Sequence, residues 1–158
     1  MALDAARATA ELSRRARRSG VPVIYCNDNF GKWRSDFRQL LDHCLHGEVR
    51  GREIAELLRP DKEDYFVLKP KHSAFHSTSL DILLDHLGAQ TLVLTGVQGD
   101  FCVMLTAHDA YMQDFKLLVP QDCIATDPAK DNHFALAHLE KVCKAKIASS
   151  AQVDFEKL

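Results

Sequence analysis

The stretch VLTGVQGDFCV, Val93 to Val103, decides how the rest of the chain is read. An apolar run breaks at Gly96-Val97-Gln98-Gly99-Asp100 and resumes with Phe101, Cys102 and Val103. Apolar residues on consecutive positions before the break fit a strand covered on both faces. The run CVMLTAHDAYMQD that follows reads as a helix. Cys102 then stands in the first turn of that helix, where backbone N–H groups lack intrahelical partners and the peptide dipoles favour an anion. Two readings of the thiol are open on this loop alone. It is a small core residue, as many cysteines are, or it is a thiolate placed at a helix mouth for chemistry. On the second reading, the glycines at 96 and 99 let the backbone bend and leave room for a ligand, and the same N–H groups form an oxyanion hole.

Working outward, strands and helices alternate. Residues 3–19 are rich in Ala and Arg and read as a helix stopped at Gly20. VPVIYCN (21–27) reads as a strand. RSDFRQLLDHCLHG (34–47) carries Phe37, Leu40, Leu41, Cys44 and Leu45 at the spacing of one helical face, with Gly47 after its end. REIAELLRP (52–60) is a short helix that stops before Pro60, and DYFVLKP (64–70) is a strand. Ser79 to Leu87 forms a helix striped by Leu80, Leu83, Leu84 and Leu87. TLVLTGV (91–97), FKLLVPQD (115–122) and AKIASS (145–150) are strands, and DNHFALAHLEKV (131–142) is a helix. This order predicts one α/β domain over residues 1–158, a mostly parallel sheet with helices on both faces. In such sheets sites form where strands end and helices begin. The loops CNDNFGKW (26–33), KPKHSAFHST (69–78) and GVQGDFC (96–102) are therefore the ones to watch.

Composition narrows the function classes. The 158 residues are 46% hydrophobic and 27% charged, with a formal net charge of −2. That balance suits a globular domain and offers no basic face to nucleic acid or an anionic membrane. The basic cluster Arg14, Arg15, Arg17 and Arg18 is read as the solvated end of the first helix. No apolar run approaches the ~20 residues that span a bilayer. The N-terminus lacks a secretory apolar stretch. The five cysteines, odd in number and without a Cys-x-x-Cys pair, point to reduced thiols in a cytoplasmic protein. Cys26, Cys44, Cys123 and Cys143 are read as buried or incidental.

Lys69 ends a strand, so its ammonium is placed to reach the sheet edge where Cys102 sits, and a cation beside a thiol favours the thiolate. At this point the segment VLKPKHSAFHSTSLDILLDHLGAQTLVLTGVQGDFCVMLTAHDAYMQDFKLLVPQDCIA resembles the isochorismatase-like cysteine hydrolases, a family that includes nicotinamidases and other amidases. The likeness runs from about Gly20 to Ala125. It rests on the order Lys69, Ser73-Ala74-Phe75, a Leu-rich helix, LVLTGV, and Cys102-Val103 opening a helix. The resemblance implies a three-layer α/β/α, Rossmann-like fold and a Cys-Lys-Asp triad, with Cys102 on the nucleophile and Lys69 on the lysine. It implies a non-proline cis peptide at Val97–Gln98, with the amides of Gln98 and Cys102 as oxyanion donors. It implies a small-molecule substrate, no cofactor, and assembly as a homo-oligomer.

The sequence departs from the family in two places. The family's Asp ends a first strand in the middle of the sheet, and this chain opens in what resembles the following helix. Asp4 has no strand before it. Asp28 and Asp100 are the nearest replacements by sequence, Asp100 better suited to capping. A missing central strand leaves two edges of unpaired backbone. The halves close up, another segment fills the slot, or the chain is a truncated form of a longer protein. Truncation is the expectation. The family's metal-binding histidines are also missing from YCNDNFGKWRSDF. His43/His46 and His72/His76 are read as surface residues, so no metal site is expected. Phe30, Trp33 and Phe75 lie on loops near the site and are candidates for an apolar substrate pocket.

The expectation for activity is a hydrolase opening a small amide or related substrate through Cys102. Vinyl-ether cleavage, which does not need the thiol, also falls within the resemblance. The alternative is a catalytically impaired member, lacking the triad Asp, that binds a ligand or serves as an oligomeric scaffold. Redox sensing by Cys102 ranks last.

Overall fold

The computed structural model describes residues 1–30, 36–46 and 49–158. Its helices are α1 (Ala2–Arg18), α2 (Phe37–His46), α3 (Arg52–Leu57), α4 (Leu80–His86), α5 (Met104–Met112) and α6 (Ala129–Val142). Its strands are β1 (Ile24–Asp28), β2 (Tyr65–Lys69), β3 (Thr91–Val93), β4 (Gly96–Val97), β5 (Lys116–Pro120), β6 (Ile124–Ala125) and β7 (Lys146–Ala148). Every ladder is parallel: β1 with β2, β5 between β3 and β7, and β4 with β6. Among the described residues no ladder joins β1 to β3.

Alternation along the strands builds three layers. Leu117 and Val119 on β5 face the cluster formed by Val103, Ala107, Ala110, Leu139 and Cys143 of the α5 and α6 side. Leu118 between them points the other way, toward Leu12 of α1 and Val153. β3 repeats the pattern, Leu92 on the α5 side and Val93 on the α1 side. Strand side chains alternate in this way because the pleat has a period of two. Leu80 and Leu84 of α4 pack on Val67, with Ile24, Cys26 and Leu92 at the edge of the cluster. α4, α5 and α6 thus cover one face of the sheet and α1 the other, with α3 against α1. Ala107 and Ala110 are fully buried, and their small side chains let α5 lie close to β5.

Two expectations change. The run 91–97 is not one strand. Leu94 still donates its N–H to Leu118 O at 2.9 Å. Gly96, at φ +120, then turns the chain away, and β4 pairs with β6 instead. A positive φ of that kind suits glycine. The short strand β6 lay inside a stretch without strand periodicity. The arginine cluster is also not a solvated face throughout. Arg15 donates to Ser150 O at 2.8 Å and to Val153 O, and its guanidinium lies 5.8 Å from the centroid of Phe155. Arg17 makes a forked pair with Asp64, Nε to Oδ1 at 2.9 Å and Nη2 to Oδ2 at 2.5 Å. Arg14 and Arg18 remain exposed. The Gly47 helix stop and Trp33 lie outside the described residues.

The Asp64 carboxylate is 3% exposed, so Arg17 neutralises a buried charge where α1 meets the start of β2. The bidentate geometry raises the Arg17 guanidinium above its ordinary range. Removing one partner of such a pair strands the other charge. Arg17→Met should lower the unfolding free energy by about 2–3 kcal/mol in a urea titration. A change below about 0.5 kcal/mol would show that α1 is held without this pair.

Candidate active site

The site begins at two strand ends. Register places Asp28, the last residue of β1, beside Lys69, the last residue of β2. Lys69 is 5% exposed and donates its ammonium to Asp28 Oδ1. A buried ammonium requires a charged partner, and the neighbouring strand, ~4.8 Å away, supplies one. Lys69 thus pairs with a carboxylate on the adjacent strand. Asp28, by sequence only one of two possible acids, is the one that meets the lysine.

The thiol-bearing turn is shaped next. The peptide bond between Val97 and Gln98 is cis, at the position the resemblance implied. The Gln98 carbonyl accepts from Phe101 N at 3.2 Å and Val103 N at 3.1 Å. Its side-chain Oε1 accepts from Asp127 N at 3.0 Å, tying the turn to the segment after β6. Gly99 leaves no room for a side chain: a Cβ there would stand 2.4 Å from Ile124 Cγ2 and 2.7 Å from Thr126 Oγ1. Residues Gly99–Val103 form one π-helical turn before α5 begins. Cys102 therefore sits in a widened turn leading into α5, rather than in the first turn of the α-helix proper. Such turns recur at functional sites. Cys102 is half-buried, with Val97 and Phe101 exposed nearby in sequence. The thiol is not sealed in the core, unlike Cys123 and Cys143, which are 0% and 2% exposed.

The loop after β2 closes over this turn. Ala74 N donates to Thr106 Oγ1 at 3.0 Å, and Thr106 Oγ1 donates to Cys102 O at 2.7 Å. Ser73 Oγ donates to Asp109 Oδ2 at 2.5 Å. These contacts with α5 bring His72 Nδ1 to 3.9 Å from Cys102 Sγ, and the His72 ring lies 4.1 Å from the Phe101 ring. His72 is not the surface histidine of the sequence reading. His76, His43 and His46 are exposed as expected. His72, His76, Leu105, His108 and Asp109 border an open depression beside the thiol turn. His108 and His138 link α5 to α6 through their Nε2 atoms at 2.9 Å, a pairing with no sequence signal because the two residues lie on separate helices. Among the described residues, no group of three or more His, Cys, Asp or Glu is arranged to hold a metal ion.

The aromatic candidates separate. Phe75 packs against both core clusters on the α4–α6 side and lies 6.2 Å from Phe115, so core packing accounts for its ring. Phe30 is 70% exposed at φ +52 beyond β1. Trp33 lies outside the described residues.

Parallel strands covered by helices, with a half-buried thiol turn leading into α5 and a Lys–Asp pair at two strand ends, define an α/β domain with a candidate site. The model of the isochorismatase domain matches residues 2–152, and the chain belongs to the isochorismatase family. It is 39% identical over 142 residues to YaaI, an isochorismatase family protein of Bacillus subtilis, covering 90% of this chain and 77% of that one. Enterobactin synthase component B of Escherichia coli is 32% identical over 120 residues, 74% of this chain and 42% of its own length. This chain therefore spans less than half of that relative. Two solved structures have similar folds. N-carbamoylsarcosine amidase from Thermoplasma acidophilum superposes with a TM-score of 0.77 at 27% identity, covering 97% of this chain and 86% of its own. A pyrazinamidase/nicotinamidase from Streptococcus mutans gives 0.73 at 30%, with 93% and 86% covered.

Two outcomes follow from this packing. Gly99→Ala should cost about 1–3 kcal/mol and disorder the thiol turn, read by urea unfolding and by Cys102 alkylation. Wild-type stability would mean that β6 yields to the added methyl. Separately, burial pushes the thiols of Cys26 and Cys123 up from the ordinary 9.0 to about 11, the Lys69 charge partly opposing this at Cys26. The folded chain then keeps protons that the unfolded chain releases, so their contribution is complete below about pH 9 and is lost as pH climbs toward 11. Urea midpoints should fall over that window, and Cys26→Ala or Cys123→Ala should flatten the slope. An unchanged slope in both variants would contradict the assignment.

Proposed function

We propose that this chain is a hydrolase that opens a small amide by attack of the Cys102 thiol, through a thioester that water resolves. The observation that carries the reading is a half-buried thiol at the mouth of α5, its polar contact His72 lying on the loop that leaves the Lys69–Asp28 pair at the C-terminal edge of β1 and β2. Lys69 precedes His72, the thiol's polar contact, by three residues, so its Cα lies within about 11 Å of that loop position. The ammonium stabilises negative charge developing at that edge. The amides of Gln98 and Cys102 are assigned to the carbonyl oxygen of the substrate, and Phe30, which is exposed, together with Trp33 to its apolar part. The amidase and nicotinamidase named among the similar structures act on C–N bonds of small molecules, which favours an amide over a vinyl ether. The reaction as written needs no cofactor. Five free thiols fit a reducing compartment, and we place the protein in the cytoplasm. Exposed Met112 and Phe134 favour a homo-oligomer.

Ammonia release from a panel of small primary amides and N-carbamoyl amino acids, with nicotinamide and N-carbamoylsarcosine included, tests the reading. Cys102→Ala should abolish turnover of any amide hydrolysed, and Lys69→Met should lower kcat about 10²-fold. Turnover by Cys102→Ala at the wild-type rate would overturn the mechanism.

A further inference from the structure

We propose that His72 is the proton acceptor for Cys102, the two forming a Cys–His pair across the entry of α5. The inference rests on the thiol-attack reading above and adds a catalytic residue to it. Its observation is the 3.9 Å approach of His72 Nδ1 to Cys102 Sγ. Catalytic hydrogen bonds in unliganded sites are often long and tighten when substrate binds.

Three features make the approach a built one. The His72 ring is flanked by Phe101, with ring centroids 4.1 Å apart, and Phe101 is the residue immediately before the thiol. The loop on the far side of His72 is tied to α5 by the Ser73 hydroxyl, which donates to Asp109, and by Ala74 N, which donates to Thr106 Oγ1. Thr106 also holds the Cys102 carbonyl, so one hydroxyl positions both partners of the pair. Asp28, the acid nearest the lysine, is occupied by the Lys69 ammonium. The groups that share the depression with His72 are Lys71 and His76 on its own loop and His108 and Asp109 on α5. The Asp109 carboxylate accepts from Ser73, so it secures the loop.

The chemistry balances without another reactant. With Nδ1 toward sulfur, neutral His72 carries its proton on Nε2. As the S–C bond forms, the thiol proton moves to Nδ1 and the carbonyl π pair moves onto oxygen. The intermediate collapses, the C–N bond breaks, and the amine leaves with the proton from Nδ1. Water then attacks the thioester, gives its proton to Nδ1, and the S–C bond breaks. The proton returns to the departing sulfur.

Alkylation of Cys102 by iodoacetamide from pH 5 to pH 10 tests the pair without any substrate, so the result is independent of whether amides are turned over. Cys102→Ser supplies the blank, and circular dichroism confirms folding of the variants. In His72→Gln the rate at pH 7 should fall about tenfold or more, while the plateau rate above pH 9.5 stays at the wild-type level. Added imidazole should restore part of the neutral-pH rate in His72→Ala. A profile unchanged by His72→Gln overturns the proposal while leaving the hydrolase reading intact. A uniform fall at every pH also overturns it, because it marks a packing role. Wild-type hydrolysis by Cys102→Ala alongside the predicted alkylation profile would instead retain the pair and reject the hydrolase.

Discussion

The site depends on a close approach. Nothing larger than a hydrogen fits at residue 99, because Ile124 and Thr126 already occupy the space a methyl would need. That contact presses the turn after β4 against β6 and the residues beyond it. With Gly99 fixed there, Gln98 reaches Asp127, the π turn opens into α5, and Cys102 emerges half-buried at the sheet edge. The thiol's position is thus a packing result. No part of it requires that the cysteine be held by a charge.

Charge enters separately. Two half-buried pairs stand out among the described residues, and they differ in placement. Arg17–Asp64 joins a helix to the start of a strand, far along the chain from the thiol turn, and its role is to secure α1. Lys69–Asp28 joins two strand ends at the edge where parallel sheets of this kind carry their sites. The cationic residue is nearly all buried while Asp28 is partly open, so the pair presents its acid to solvent and keeps its ammonium within. The loop that leaves Lys69 then runs directly to His72 and α5, which links the strand-end charges to the sulfur through a few residues of chain.

Much of the fold was legible because its signals are local. Apolar runs on β2 and β5, the leucine stripe of α4 and the alternation of strands with helices placed nearly every element within a few residues. The break at Gly96 was legible as a break, but not as a change of partner, since β6 is two residues long and carries no periodicity. Of the site, Cys102, Lys69 and the Val97–Gln98 bond could be placed by motif. The partners could not. Asp28 meets Lys69 because of strand register, and His72 meets Cys102 because Ser73 and Ala74 bind α5. Both are tertiary facts that spacing along the chain does not encode. Phe75 shows a related point: from a loop position near a site motif its ring packs on two core clusters, a contact that spacing along the chain does not encode.

The central claim is that this packing delivers one reactive sulfur among five free thiols. Site-resolved labelling of the native protein with a limiting amount of iodoacetamide at pH 7, followed by peptide mass spectrometry, measures it directly. The account predicts one carbamidomethyl group per chain on Cys102, with Cys26, Cys123 and Cys143 untouched. Label distributed to Cys44 or the buried thiols first, or a Cys102 slower than glutathione under the same conditions, would contradict it.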